Sequence, residues 1–183
     1  MKMETNNSEI KDQLTGVFNY AYFQEVLKQE ILRSNRYNKP YSIVRMDIDN
    51  FKTINEKYGF DFGNTILVQL ATLLKDKTRA SDVLSRQEAE EFVIMLPEVA
   101  TDDAVVFAER MRKIIVNYDE FGDDSNKIKI TVSMGISSYV RKEEMDLTQI
   151  LQLLDTAVYQ AKENGRNCIV TYKSLLPTED SFI

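Results

Sequence analysis

Two apolar strands that end in carboxylates constrain this chain more than any other feature. Residues 86–92 read Arg-Gln-Glu-Ala-Glu-Glu-Phe and run directly into the apolar stretch 93–96. An earlier apolar stretch, 41–46, runs into Asp47-Ile48-Asp49. The later pattern is a β-hairpin with acids at a tight turn, where glycine is the usual solution. Read alone, Glu-Ala-Glu-Glu is a solvated turn. Paired with Asp47 and Asp49, it suits carboxylates brought from two strands to hold a divalent cation against a nucleotide triphosphate.

The rest of the chain supplies helices to cover such a sheet. Apolar spacing predicts helices over 18–34, 50–57, 61–75, 101–117 and from Asp146 or Thr148 to residue 163. Thr101 is the expected N-cap of the fourth, with Asp102 and Asp103 in its first turn. Strands are expected over 41–46, 83–86, 92–96, 127–139 and 167–172, with an acidic loop over 118–126. Asn164-Gly165 ends the last helix. The hairpin sits between strand–helix units, which predicts an α+β fold with one central sheet and helices packed over it. The first acidic strand can then lie beside the hairpin. Residues 1–10 are expected to be a disordered tail or linker, 11–173 one domain, and 174–183 a loose C-terminal tail. The acidic pair Glu143-Glu144 reads as a solvated loop.

Composition excludes several function classes. The net charge of −6 argues against general nucleic-acid binding, which needs a basic face. The chain has no histidine, so imidazole acid–base catalysis is absent, and its lone cysteine, Cys168, rules out an intrachain disulfide and disfavours a zinc site. Cys168 is expected in the core. No apolar run reaches membrane-spanning length, so a cytoplasmic setting is expected, for the chain itself or as part of a larger protein.

Four ordered motifs resemble those of the GGDEF domain, the diguanylate cyclase family. They are Asp12-Gln13-Leu14-Thr15-Gly16-Val17-Phe18-Asn19, then residues 47–55 (Asp-Ile-Asp-Asn-Phe-Lys-Thr-Ile-Asn), then Gly59-Phe60-Asp61-Phe62-Gly63-Asn64, and residues 159–167 (Tyr-Gln-Ala-Lys-Glu-Asn-Gly-Arg-Asn). The resemblance implies a ferredoxin-like nucleotide-cyclase fold with a mostly antiparallel central sheet flanked by helices. It implies Asp47, Glu90 and the Ile48 carbonyl as ligands of Mg²⁺ if a nucleotide binds, and Glu91 as the residue assisting the attacking hydroxyl. It implies Lys52, Lys162 and Arg166 on phosphates, Phe51 in the nucleotide site, and Asn55 and Asn64 on the guanine edge of GTP.

The sequence departs from the family at its signature. Where the family has Gly-Gly before the acids, this chain has Glu88-Ala89, followed by Glu90-Glu91-Phe92. Glycine there gives positive φ and room for a close ligand. Glu88 adds bulk and charge. Like charges 4 Å apart at an effective dielectric near 20 repel by about 4 kcal/mol. Asn64 stands where an aspartate is usual and offers one donor and one acceptor. Phe60 replaces a common histidine and is expected to be a packing change.

A second site of the family matches better. Arg79-Ala80-Ser81-Asp82, just before the hairpin, resembles the Arg-x-x-Asp inhibitory site for cyclic di-GMP, and Arg110 falls where a supporting arginine is implied. Such a string alone also fits a surface ion pair of little energetic value. The resemblance therefore implies a degenerate domain that binds cyclic di-GMP through Arg79, Asp82 and Arg110. Its implied partners are an effector protein or an attached domain, and a ligand-linked second copy of the chain. The alternatives are a weakly active or base-relaxed cyclase using GTP and Mg²⁺, and a GTP-binding or dimerisation module.

Overall fold

The computed structural model describes residues 9–139 and 146–171. The elements are β1 (Phe18–Asn19), α1 (Tyr20–Tyr37), β2 (Tyr41–Ile48), α2 (Phe51–Tyr58), α3 (Phe60–Lys77), β3 (Val83–Arg86), β4 (Glu91–Pro97), α4 (Thr101–Asn117), β5 (Phe121–Gly122), β6 (Lys127–Ile128), β7 (Val132–Ser138), α5 (Leu147–Glu163) and β8 (Ile169–Thr171). The main sheet has the order β1-β3-β4-β2-β7-β8. Its four central strands pair antiparallel. Both edges pair parallel, β1 with β3 and β8 with β7. The sheet is therefore mixed, with the expected antiparallel pairing confined to its centre.

β2 sits in the middle and every one of its residues is buried. Alternation along it divides the core into two. Val44, Met46 and Ile48 join Phe92, Ile94 and Leu96 against α3 and α4, through Ile66, Leu70, Ala108 and Met111. Tyr41 and Ile43 join Val93 and Met95 against α1 and α5, through Phe23, Leu27, Ile150 and Leu154. Helices thus cover both faces, and only the ends of the central strands open to solvent.

Several boundaries differ from expectation for identifiable reasons. The first helix begins at Tyr20 because Asn19 caps it, its Oδ1 accepting from the Tyr22 N–H at 2.9 Å. Phe18 and Asn19 pair instead with Ser85 and Arg86. Glu9 and Ile10, placed in the expected tail, accept from the Asn19 side chain and backbone. Thr101 is not a cap: Ala100 holds that position, its carbonyl accepting from the Ala104 N–H, and Thr101 is buried. The strand expected over 127–139 is broken. Residues 127–128 pair with β5, inside the expected loop, while β7 pairs with β2 from Val132 onward. Cys168 is half-buried, its thiol directed to the Ala161 carbonyl. The tails 1–8 and 174–183, Glu143-Glu144 and Tyr172 lie outside the described residues.

Gly135 sets how closely α5 approaches the sheet. A Cβ there would lie 2.9 Å from the Leu154 carbonyl, the Val158 nitrogen and the Ala157 methyl. Two of these are helix backbone and cannot rotate away. Gly135→Ala should therefore destabilise the domain by about 1–3 kcal/mol in urea unfolding.

Candidate functional site

The register of β2 against β4 places Asp47 directly opposite Glu91. Both acids emerge at the same end of the sheet, on the face covered by α5. From α5, the Lys162 Nζ reaches Asp47 Oδ2 at 2.7 Å. Asp47 is only 3% exposed. Burial raises its pKa to about 6 against the pull of Lys162, with Glu90 and Glu91 adding to the rise. Burial likewise raises Glu91, with Arg45 and Lys162 opposing it and Glu88 and Glu90 assisting. The cluster is an acid-rich end of a sheet held by two cations.

The turn linking β3 to β4 closes through the Glu91 N–H to the Glu88 carbonyl at 2.8 Å and the Gln87 N–H to the Glu91 carbonyl at 2.9 Å. Ala89 sits at its first central position with φ 43°. This is the left-handed seat that glycine fills without a Cβ penalty. Arg86 compensates by donating from Nε and Nη2 to the Ala89 carbonyl at 2.9 and 2.7 Å. Glu88 is exposed and Phe92 is fully buried in the core. The tight turn thus closes with a positive φ at Ala89 and no glycine in residues 87–91.

Asp49 plays a different part from the one its spacing suggested. Its carboxylate accepts from Thr131 Oγ1 and Ser133 Oγ, both at 2.6 Å, and from the Asn167 N–H at 3.0 Å. With these three bonds it ties β2 to β7 and to the segment after α5, and it is a structural acid rather than half of a metal pair. That segment carries Arg166 (φ 65°) and Asn167 (φ 47°) in left-handed conformations. Arg166 is exposed.

The base-reading positions gather at the junction of α2 and α3. A Cβ at Gly63 would collide with the Asn55 carboxamide, whose Oδ1 is buried with no hydrogen-bond partner among the described residues. Phe51 backs this contact from the core. Lys52 lies at the start of α2, almost fully exposed, with Glu56 3.8 Å away. Asn64 is exposed. Phe60 is 78% exposed, so its ring does not pack into the fold as the expected packing change would have it.

A metal ion implied by the resemblance fits the chemistry of the donor set. Asp47, Glu90 and the Ile48 carbonyl offer oxygen only, as Mg²⁺ prefers. Among the described residues no three acids gather closely enough to hold an ion unaided. Mg²⁺ characteristically takes one or two carboxylates and completes its shell with phosphates and water, which matches this set.

The second predicted constellation is brought together. Arg79, Asp82 and Arg110 line one pocket of about 350 Å³ between the β3 approach and α4, with Val99, Val106 and Phe107 as its apolar wall. Asp82 Oδ2 accepts from the Arg79 backbone N–H at 2.8 Å, which fixes the loop. The Arg110 guanidinium lies 5.6 Å from the Phe107 ring centre. Among the described residues neither guanidinium is taken up in an ion pair.

Two arginines escaped the sequence reading. Arg86 is the brace of the acidic turn and also binds Asp12 at 3.2 Å. Arg45 is 2% exposed, pairs with Asp155 of α5 and lies on the Asp47 face of β2. The period-two alternation of that strand carried the signal, since residues 45 and 47 must share a face.

Two measurements check this geometry. The protonated form of Asp47 is favoured by folding, so its contribution is complete below the ordinary value of 3.8 and is lost as pH rises through about 6. Relative to Asp47→Asn, wild-type stability should fall by on the order of 3 kcal/mol between those limits, read from urea midpoints. Ala89→Gly should raise stability by about 1 kcal/mol, because it removes the Cβ penalty at positive φ.

The sequence matches the family described as diguanylate cyclase, GGDEF domain, over residues 9–168. It is 34% identical over 180 residues to diguanylate cyclase A of Treponema denticola, covering 94% of this chain and 48% of that protein. It is 35% identical over 163 residues to the response regulator PleD of Caulobacter vibrioides, covering 88% of this chain and 36% of that protein. The chain thus spans less than half the length of these relatives. In fold it is similar to the GGDEF domain of DgcB from Caulobacter crescentus, crystallised in complex with c-di-GMP, with a TM-score of 0.85 and 21% identity over 94% of this chain and 98% of that one. The architecture, the ordered motifs and the family match converge on one conclusion: this chain belongs to the GGDEF domain family of diguanylate cyclases.

Proposed function

We propose that this GGDEF domain is a receptor for cyclic di-GMP, with synthesis impaired at its signature turn. The observation that carries the reading is the shared pocket of Arg79, Asp82 and Arg110, with both guanidiniums free of ion pairs among the described residues. A guanidinium binds phosphate bidentately and stacks on a base, while a carboxylate accepts the two donors of the guanine edge. In a protein of net charge −6, Arg79 and Arg110 supply the positive charge of this pocket, alongside the carboxylates of Asp82, Glu98 and Asp103. Bound ligand would join two copies of the chain or alter contacts with an effector or attached domain.

Impairment follows from Glu88 and Ala89. Glu88 adds a carboxylate beside Glu90, Glu91 and Asp47, where incoming triphosphate must be tolerated. Each 1.4 kcal/mol of that repulsion costs about tenfold in rate. Calorimetry with cyclic di-GMP is the test. Binding at tens of micromolar or tighter is expected, and Arg79→Ala should weaken it by about tenfold or more. Absence of binding, or binding indifferent to Arg79→Ala, removes the reading.

A second reading is favoured by one observation: Asp47, Glu91 and Lys162 remain assembled around a correctly closed turn. On this reading the domain is a slow cyclase. Asp47, Glu90 and the Ile48 carbonyl would hold Mg²⁺, which when bound neutralises phosphate charge, while Glu91 accepts the proton of the attacking hydroxyl. Chromatography after incubation with GTP and Mg²⁺ decides between them. The receptor reading expects no cyclic dinucleotide from the wild type and measurable product from Glu88→Gly/Ala89→Gly. Ready product from the wild type, lost in Glu91→Gln, favours the cyclase.

A further inference from the structure

The segment before β1 turns back on itself and carries a lysine to the edge of the main sheet. The Asp12 N–H donates to the Val17 carbonyl and the Gly16 N–H to the Asp12 carbonyl, both at 2.9 Å. Lys11 thereby comes opposite Phe18, which pairs in turn with Ser85 of β3. The Lys11 Nζ lies over the Phe18 ring, 3.5 Å from its centre.

A second lysine arrives from another element. Lys75 stands in the last turn of α3. Lys11, Lys75 and Arg79 line one pocket of about 260 Å³, with Phe18 and Leu84 on its apolar wall. Asp82 is the one carboxylate among its lining residues. The Asp82 Oδ2 already accepts from the Arg79 backbone N–H at 2.8 Å. Three cations thus share a pocket with a single, partly occupied acid, in a chain of net charge −6.

A lysine in the last turn of a helix is ordinarily explained by the exposed carbonyls there. That accounts for Lys75 and leaves Lys11 unexplained. Lys11 is half-buried, and both burial and the nearby Lys75 lower the pKa of its ammonium. Among the described residues neither lysine is paired with a carboxylate. An anion seated between them would relieve the desolvation and the like-charge repulsion together.

The donor set narrows the class. Each ammonium offers three donors and the guanidinium five, and none of these groups can accept. A tetrahedral oxyanion has the charge and the acceptors to meet them, whereas a monocarboxylate has too few. The pocket lies just below the usual size for a drug-sized ligand, so the occupant is small.

We propose that Lys11, Lys75 and Arg79 form a site for a small phosphate-bearing anion, either orthophosphate or a compact phosphate ester. The site does not depend on the cyclic di-GMP reading. Arg79 lines both pockets, but Lys11 and Lys75 do not line the one that holds Arg110, so the two sites can be probed apart.

Amide chemical-shift mapping in metal-free buffer at about 0.15 M sodium chloride tests the proposal, with inorganic phosphate and glycerol phosphate titrated in parallel. Saturable shifts are expected at residues 11–18 and 75–79. Lys11→Gln/Lys75→Gln should raise the midpoint by about tenfold or more. Should that double variant fail to keep the wild-type urea midpoint, Lys75→Gln alone, at an exposed position, carries the comparison. A tighter midpoint for glycerol phosphate assigns an ester, and an equal or weaker one assigns the free ion. Shifts that never saturate, or a midpoint unmoved by the lysine substitutions, overturn the site. So does a map centred on Lys52, Lys162 and Arg166.

Discussion

The pairing of β2 with β4 is the constraint on which the rest depends. Its register puts Asp47 opposite Glu91 at the open end of a strand buried along its whole length. Two carboxylates so close, and so shielded from water, need cations. Lys162 reaches Asp47 from α5, and Arg45 lies beneath on the same face of the strand. The fold therefore carries an acid-rich strand end balanced by two cations. That charge pattern is a property of the sheet. The loops only complete it.

The hairpin tip closes a tight turn without glycine. Ala89 adopts a left-handed conformation although it carries a Cβ, and Arg86 braces its carbonyl with two hydrogen bonds. The turn thus closes at an energetic cost, while its side chains carry negative charge. The turn is compatible with the fold. The Arg79 pocket lies before β3 and against α4, and no residue of the tip lines it.

Much of this was legible in the sequence. The alternation of apolar stretches with helical spacing gave the helices and the central strands, and Asp47 facing the hairpin acids followed from adjacent strands ending in carboxylates. The Arg79, Asp82 and Arg110 convergence was implied by resemblance, and the pocket brings the three together. What escaped depends on contacts distant in sequence. Asp49 looked like a metal ligand because its partners, Thr131, Ser133 and Asn167, lie far along the chain. The break between β6 and β7 reflects a change of pairing partner, which local propensity does not encode. Phe60 reads as a packing residue by its hydrophobicity, yet its ring is turned to solvent. A buried Arg45 runs against the usual preference of arginine for the surface, so composition argued against it.

The central claim is that cyclic di-GMP engages the arginine pocket and leaves the acidic end of the sheet alone. Backbone amide chemical-shift mapping during a titration with cyclic di-GMP tests it most directly. The account predicts that shifts concentrate at residues 79–82 and 106–110, with Asp47 and Glu91 unmoved. Shifts centred on Asp47, Glu91 and Lys162, with residues 79–82 silent, would contradict it.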